Sequence, residues 1–382
     1  MSIKLLETFA GYSSQELALK QLGVNVETVN KVEWYVYAIL ANYTLCGVKC
    51  DPENNKTKEQ MIEELVKYNF SLDTKTVASA KSWNSFSKEK LASMYPYLIK
   101  WATEFSVDIS QVKNIKSEVD IFTYSFPCQD ISNNGKKAGF KDNTTRSGLV
   151  WEIIRILKNS DIKPKILVME NVSNIVSSRF IEDFNSIIQE LNELGYVSTY
   201  RVLDATNFGA NQGRKRAFMV SVHRDFSTVP FDFNTLETYQ TNKTLGEFLD
   251  LNADRKEVVE STNVLASGNY KIRKTEYGEQ NIDLLYRSYK AENRVLTLNN
   301  KITPTILSCV PTHPCLTYDN KVFQFNNKDR LMLMGLSDKQ ASSLVQNDLL
   351  TAGALLKLAG NSIYVGVLKE LFKQIIKQYW KD

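Results

Sequence analysis

The sequence predicts an α/β fold built on a mostly parallel sheet, followed by a smaller domain of short strands and irregular chain. Three observations carry this. Short apolar runs alternate with stretches of helical period, the signature of βαβ units. Several of those runs end in a small-residue turn or a lone acid, as the carboxyl edge of such a sheet does. After about Asp225 the alternation fades, and residues 226–330 hold few long helical patterns, many Asn and Thr, and brief β-prone runs.

The elements follow in order. Ile3 to Phe9 reads as a buried strand, broken by Ala10-Gly11-Tyr12-Ser13-Ser14. Gln15 to Leu22 has helical spacing and stops at Gly23, the residue expected just past a helix end. Thr28 to Val32 is a second strand that runs into Glu33-Trp34, and Tyr35 to Tyr43 a second helix. Residues 51–105 are rich in Lys, Glu, Asn and Ser with scattered aromatics, and read as a partly helical insertion. Strand patterns return at Val119–Tyr124 and Ile166–Met169, with a helix from about Arg146 to Lys158 between them. Ile181 to Leu194 is a periodic helix closed by Gly195; Thr199–Leu203 and Ala217–Val222 are strands. The tail from Leu355 to Tyr379 reads as helical, with an apolar face for a core.

Composition narrows the function classes. A chain of 382 residues that is 43% hydrophobic and 24% charged is neither disordered nor collagen-like. No apolar run approaches a membrane span, and the N-terminus lacks the form of a signal peptide. Five cysteines, an odd number, fit a reducing cytoplasm rather than a disulfide framework. Two histidines, His223 and His313, argue against histidine-rich metal chemistry and against a Ser-His-Asp hydrolase. Cys46, Cys50, Cys309 and Cys315 lack zinc spacing, so no metal site is expected. A net charge of +4 is too small to name a polyanionic partner.

Four clusters carry chemistry. The Phe9–Ser14 turn brings backbone close to a ligand at the sheet edge, but its single glycine is not the dinucleotide fingerprint. Glu33, about twenty residues on, suits ribose hydroxyls, and Trp34 can stack on a base. Ser125-Phe126-Pro127-Cys128-Gln129 places a thiol where a strand meets a loop, a position for a nucleophile. The chain that follows, with Lys136 and Lys137, reads as a cationic lid over a polyanion. Glu170 stands at the end of the next apolar strand. Gln212-Gly213-Arg214-Lys215-Arg216 enters a strand with two arginines in alternation, so both are expected to point the same way. Nucleophile, acid and paired guanidiniums at strand edges make one plausible site.

These blocks, in this order and with Gly360-Asn361-Ser362 near the end, resemble the bacterial DNA (cytosine-5)-methyltransferases. The Lys-rich insertion and the wording Thr123–Asp130 are most similar to the CpG-methylating enzymes of mollicutes. The resemblance spans about residues 3–224 and 322–372. It implies a Rossmann-like S-adenosylmethionine-dependent catalytic domain over 1–225, with the 51–105 insertion. A target-recognition domain would cover 226–350, and residues 351–382 would return as a helix to the catalytic domain.

The resemblance also assigns roles. Cys128 would attack cytosine C6, Glu170 would hold or protonate N3, Arg216 would contact O2 and orient Glu170, and Arg214 would favour the thiolate or meet a phosphate. The cofactor would lie against Phe9, Ala10, Gly11, Tyr12, Ser13 and Ser14, with Glu33 on the ribose and Trp34, Asp108 and Ile109 near adenine. Pro127, Leu149, Asn361 and Ser362 would complete the pocket, and S-adenosylhomocysteine would be the product. Gln129, Lys136, Lys137, Arg146 and Gln212 would contact double-stranded DNA, from which the target base is flipped. The enzyme would act as a cytoplasmic, nucleoid-associated monomer, alone or beside a cognate restriction endonuclease. Two other readings share the scaffold: an RNA cytosine-5 methyltransferase, and an inactive DNA-binding regulator, which the intact Cys128, Glu170 and Arg216 disfavour.

The chain departs from the family pattern in two places. Ser13 stands where glycine is usual, and a serine fits there if its backbone angles are ordinary. The run Arg330–Leu336 is an altered form of a family block.

Overall fold

The computed structural model describes residues 2–127, 147–257, 270–274, 280–288, 291–308, 314–319 and 321–380, with the backbone alone at 147 and within 270–295. Of the expected site residues, Cys128, Gln129, Lys136, Lys137 and Arg146 lie outside the described residues.

The chain divides into two compact units. The first holds Met1–Leu203, Lys215–Leu236 and Leu368–Asp382; the second holds Asp204–Arg214 and Glu237–Val367. The first unit is built on a six-stranded sheet of β1 (Ser2–Thr8), β2 (Asn25–Val32), β3 (Ile121–Tyr124), β4 (Ile166–Val172), β5 (Tyr196–Asp204) and β6 (Lys215–His223). Its spatial order is β2-β1-β3-β4-β6-β5. The pairs β1–β2, β1–β3 and β3–β4 are parallel, and β4–β6 is antiparallel. From β1 the chain crosses first to one side, to β2, and later to the other, to β3. That reversal opens a crevice at the carboxyl ends of the strands, where open α/β sheets bind ligands.

The sequence accounts for these strands. All four residues of β3 are buried, as are the first six of β4, because central strands of such a sheet are covered on both faces. β2 and β5 carry more exposed positions, as edge strands do. Helices α1 (Ser14–Gln21), α2 (Val36–Leu45), α6 (Val150–Lys158) and α7 (Ile181–Glu193) supply the coverage, and in the insertion α3 (Lys58–Leu65), α4 (Ala80–Asn84) and α5 (Lys88–Glu104) gather round Trp83 and Trp101, both fully buried. The stop signal after α1 works as expected. Gly23 has φ 76°, its N–H meets the Lys20 carbonyl at 3.0 Å, and Val24 N–H meets that of Leu19 at 3.2 Å.

The second unit carries a sheet of β7 (Tyr270–Lys274), β8 (Gln280–Ser288), β9 (Ala291–Thr297), β10 (Cys315–Tyr318) and β11 (Lys321–Gln324), in the order β11-β10-β9-β8-β7. Its helices are α8 (Leu245–Phe248), α9 (Asn327–Met332), α10 (Asp338–Val345) and α11 (Ala352–Asn361). Leu245, Leu249, Leu296, Leu316 and Phe325 form an apolar cluster there. The tail read as one helical stretch is two, α11 and α12 (Val365–Tyr379), separated at Ser362–Tyr364. Gly360, in the last turn of α11, explains why this turn admits no side chain: a Cβ would come within 2.1 Å of the Ser308 backbone nitrogen. Among the described residues no helix is long and apolar enough to cross a membrane.

Candidate active site

The turn after β1 is built from strained backbone. Phe9, Gly11 and Ser13 all have positive φ, at 55°, 56° and 62°. The left-handed region suits glycine and costs about 1 kcal/mol or more for other residues. Ser13, with φ 62° and ψ 57°, therefore does not have the ordinary angles under which a serine replaces glycine freely. The condition for an easy fit is not met: the turn keeps its glycine-like shape and serine adopts it. Two backbone bonds close the turn, Ala10 N–H to the Val32 carbonyl at 3.1 Å and Ser13 N–H to that of Ala10 at 2.7 Å.

Glu33 ties this turn to the end of β2. Its carboxylate accepts the Gly11 N–H at 2.8 Å and the Tyr35 N–H at 2.7 Å. Burial pushes its pKa up, and the N–H groups of Tyr35, Gly11 and Trp34 oppose that rise. A carboxylate has about four acceptor positions, so capacity remains for hydroxyl groups. The space beside Gly11, where a side chain would stand, is open. Buried acceptor and open backbone at one strand edge fit a nucleoside with vicinal hydroxyls. Asp108 caps the short turn Ile109–Gln111 through Ser110 N–H and accepts from the Asn69 amide at 2.6 Å. Ile109 is buried, and Arg155 reaches its carbonyl at 3.3 Å. Leu149 packs on the core of the first unit.

A polar group lies beneath the turn, and the sequence reading missed it. Glu7, Ser13, Glu16, Lys31 and Asn42 are all buried. Burial raises Glu7 to about 7, against the pull of Lys31. Burial also acts to raise Glu16, but Lys31 and Lys20 outweigh it and hold that carboxyl below its usual range. The one signal in the sequence was Asn42, a polar residue inside the apolar stretch of α2.

The second half of the site stands at the ends of β3 and β4. Glu170 is largely buried, and its carboxylate meets Arg216 Nε at 3.2 Å. The antiparallel register sets Val172 opposite Arg216 and Glu170 opposite Phe218, so Glu170 and Arg216 are diagonal neighbours on one face. Arg216 also donates to the Lys215 carbonyl at 2.8 Å. Asn171 turns the other way, and its amide donates to the Phe126 carbonyl at 3.1 Å. Phe126 and Pro127 lead directly to Cys128. The next residue after the acid thus anchors the segment that carries the thiol.

Two residues expected in the site are enclosed by backbone of the second unit. Gln212 is fully buried. Its amide donates to the Leu333 carbonyl at 3.0 Å and its oxygen accepts the Ile306 N–H at 2.8 Å. Arg214 is buried as well, and donates to the carbonyls of Ile306 at 3.2 Å, Gly360 at 3.0 Å and Ser362 at 2.5 Å. Strand β6 starts at Lys215, so the two-residue alternation does not extend back to Arg214. Asn361 is exposed at the end of α11, and Ser362 is buried beside it with its carbonyl on Arg214.

A family model, that of the C-5 cytosine-specific DNA methylases, matches residues 67–377. The chain is 28% identical to the orphan methyltransferase M.SssI of Spiroplasma monobiae over 98% of this chain and 97% of that one. It is likewise 28% identical to the type II methyltransferase M2.ScrFI of Lactococcus lactis subsp. cremoris, over 98% and 99% of the two chains. Among solved structures, the Entamoeba histolytica methyltransferase EhMeth superposes with a TM-score of 0.63 at 14% identity over the full length of both chains. The Dnmt2 methyltransferase of S. pombe superposes with a TM-score of 0.60 at 14% identity over 99% of each.

Proposed function

The chain belongs to the C-5 cytosine-specific DNA methylases, and we propose that it methylates duplex DNA through covalent attack of Cys128 on a flipped-out cytosine. As a DNA (cytosine-5)-methyltransferase it uses S-adenosylmethionine. The catalytic domain is assigned to about 1–225 and base recognition to 226–350. The protein is assigned to the bacterial cytoplasm as a nucleoid-associated monomer, solitary or beside a separately acting restriction endonuclease.

Cytosine C5 is a poor nucleophile, and the residue types answer that difficulty. The Cys128 thiolate bonds to C6, and the electrons of the 5,6 double bond move into the ring, which makes C5 electron-rich. Glu170 holds a proton at N3 and so draws those electrons toward the ring nitrogen. Arg216 fixes the Glu170 carboxylate and faces O2. S-adenosylmethionine, when bound, supplies an electrophilic methyl group and leaves as S-adenosylhomocysteine. Loss of the C5 proton then restores the double bond and expels the thiolate. Phe9 to Ser14, Glu33, Trp34, Asp108, Ile109, Pro127 and Leu149 are assigned to the cofactor, with Asn361 and Ser362.

The observation that carries this reading is the Glu170–Arg216 pair at the carboxyl end of β4, with the neighbouring Asn171 bonded to the Phe126 carbonyl. A buried carboxylate beside a guanidinium at a strand edge is placed to meet a ring N–H. Labelled cofactor should transfer its methyl to cytosine C5 in duplex DNA, and a 5-fluorocytosine duplex should trap a covalent adduct. Loss of the adduct in Cys128→Ala supports the nucleophile, and its persistence refutes it. Preference for transfer RNA over duplex DNA in competition would replace the DNA reading, and absence of any transfer would leave the regulator.

A further inference from the structure

The polar group beneath the first turn has no task in the chemistry above, yet it converges on Ser13, one of the residues of that turn with positive φ. Ser13 Oγ accepts the Asn42 Nδ2–H at 2.7 Å. Asn42 Oδ1 accepts from Lys31 Nζ at 3.3 Å, and Lys31 donates to Glu16 at 2.6 Å. Glu16 N–H in turn meets the Glu7 carboxylate at 3.2 Å. The chain of contacts joins β1, α1, β2 and α2, and every member is buried. The Ser13 hydroxyl is held by an amide donor. Its own backbone meanwhile stands in a conformation that L-residues avoid.

We propose that Asn42 is a positioning residue for the cofactor, holding Ser13 in the left-handed conformation that glycine would adopt unaided and so keeping the Phe9–Ser14 turn in its binding shape. The inference rests on the reading that this turn holds S-adenosylmethionine. The network explains two things together. It gives a reason for a serine at a position whose φ favours glycine, and a reason for one asparagine inside an apolar helix. Neither is needed for packing alone, since an apolar residue at 42 facing a glycine at 13 would fill the same place without buried polar groups.

Substitutions at position 13 alone test the idea, read by calorimetric binding of S-adenosylhomocysteine. Ser13→Ala keeps the Cβ and loses the grip, so affinity should fall about tenfold, the cost of one buried hydrogen bond. Ser13→Gly loses both, so affinity should return to within about threefold of the parent. Equal affinity of Ser13→Ala and the parent overturns the proposal, and so does Ser13→Gly binding as weakly as Ser13→Ala. Asn42→Ala gives the second arm. It should weaken binding about tenfold in the serine chain but under twofold in Ser13→Gly, and should raise KM for the cofactor more than it lowers kcat. Equal losses in both backgrounds would make Asn42 a residue of packing only. A parent enzyme that fails to bind S-adenosylhomocysteine would instead sink the cofactor assignment itself, a result distinct from additivity in a parent that binds.

Discussion

Each unit contains a buried Arg–carboxylate pair, and the two are built differently. In the second unit Arg255 meets Asp329 through two bonds of 2.8 Å, and both side chains are almost wholly out of water. Asp329 also accepts the Asn326 N–H at 2.9 Å in the capping box of α9. That pair is closed on both carboxylate oxygens. In the first unit Arg216 Nε meets the Glu170 carboxylate at 3.2 Å, and the two side chains retain 17% and 10% exposure. A fork-to-fork pair spends its donors and acceptors on itself and fixes structure. The Arg216–Glu170 pair stands at a strand edge and is partly open to solvent. An arginine and a carboxylate thus anchor structure in one place and, in the proposed reading, serve chemistry in the other, and what separates them is access.

That contrast can be broken by four measurements, in descending order of expected effect. Glu170→Gln should lower kcat by about 10²–10⁴ while the thermal midpoint stays close to the parent. A rate within tenfold of the parent would remove Glu170 from the chemistry. Asp329→Ala should do the reverse. It leaves Arg255 buried without its counter-charge, and denaturant melts should show a loss of about 3–5 kcal/mol, with kcat per folded molecule unchanged. Arg214→Met should behave like the anchoring class. Three buried carbonyls lose their donor, so stability falls by about 2–3 kcal/mol, whereas a catalytic role would show as a rate defect in the folded fraction.

The smallest effect concerns pH. Burial raises Glu7 to about 7 from a usual 4.5. The folded state therefore favours the protonated form, and stability from this group is complete below about 4.5 and is lost as pH rises through about 7. Glu7→Gln should flatten the fall of the thermal midpoint across that window. A parallel curve in the variant would show that the carboxyl titrates elsewhere.

The first unit was largely legible because its strands are short apolar runs that end in chemistry-bearing residues. Glu170 and Arg216 could be placed from that alone: an acid closing β4 and a base inside β6 meet through sheet register. The surroundings of Gln212 and Arg214 were hidden for an equally physical reason. Their partners, Ile306, Leu333, Gly360 and Ser362, lie about a hundred or more residues away in the chain and are backbone atoms, which leave no trace in side-chain pattern. The left-handed Ser13 was hidden too, since nothing local to Tyr12-Ser13-Ser14 reveals an asparagine on α2 that stabilises it. The break between α11 and α12 escaped because the apolar pattern runs on through Ser362–Tyr364, and the close approach of Leu307–Ser308 to Gly360 is likewise silent in the local sequence.

Adjacent positions on β4 face opposite ways, Glu170 toward Arg216 and Asn171 toward the Phe126 carbonyl. Both therefore depend on a single parity. Inserting or deleting one residue anywhere along β4 would swap the two faces, unhooking the clamp and averting the acid in the same stroke. Length variation along that strand is consequently forbidden twice over.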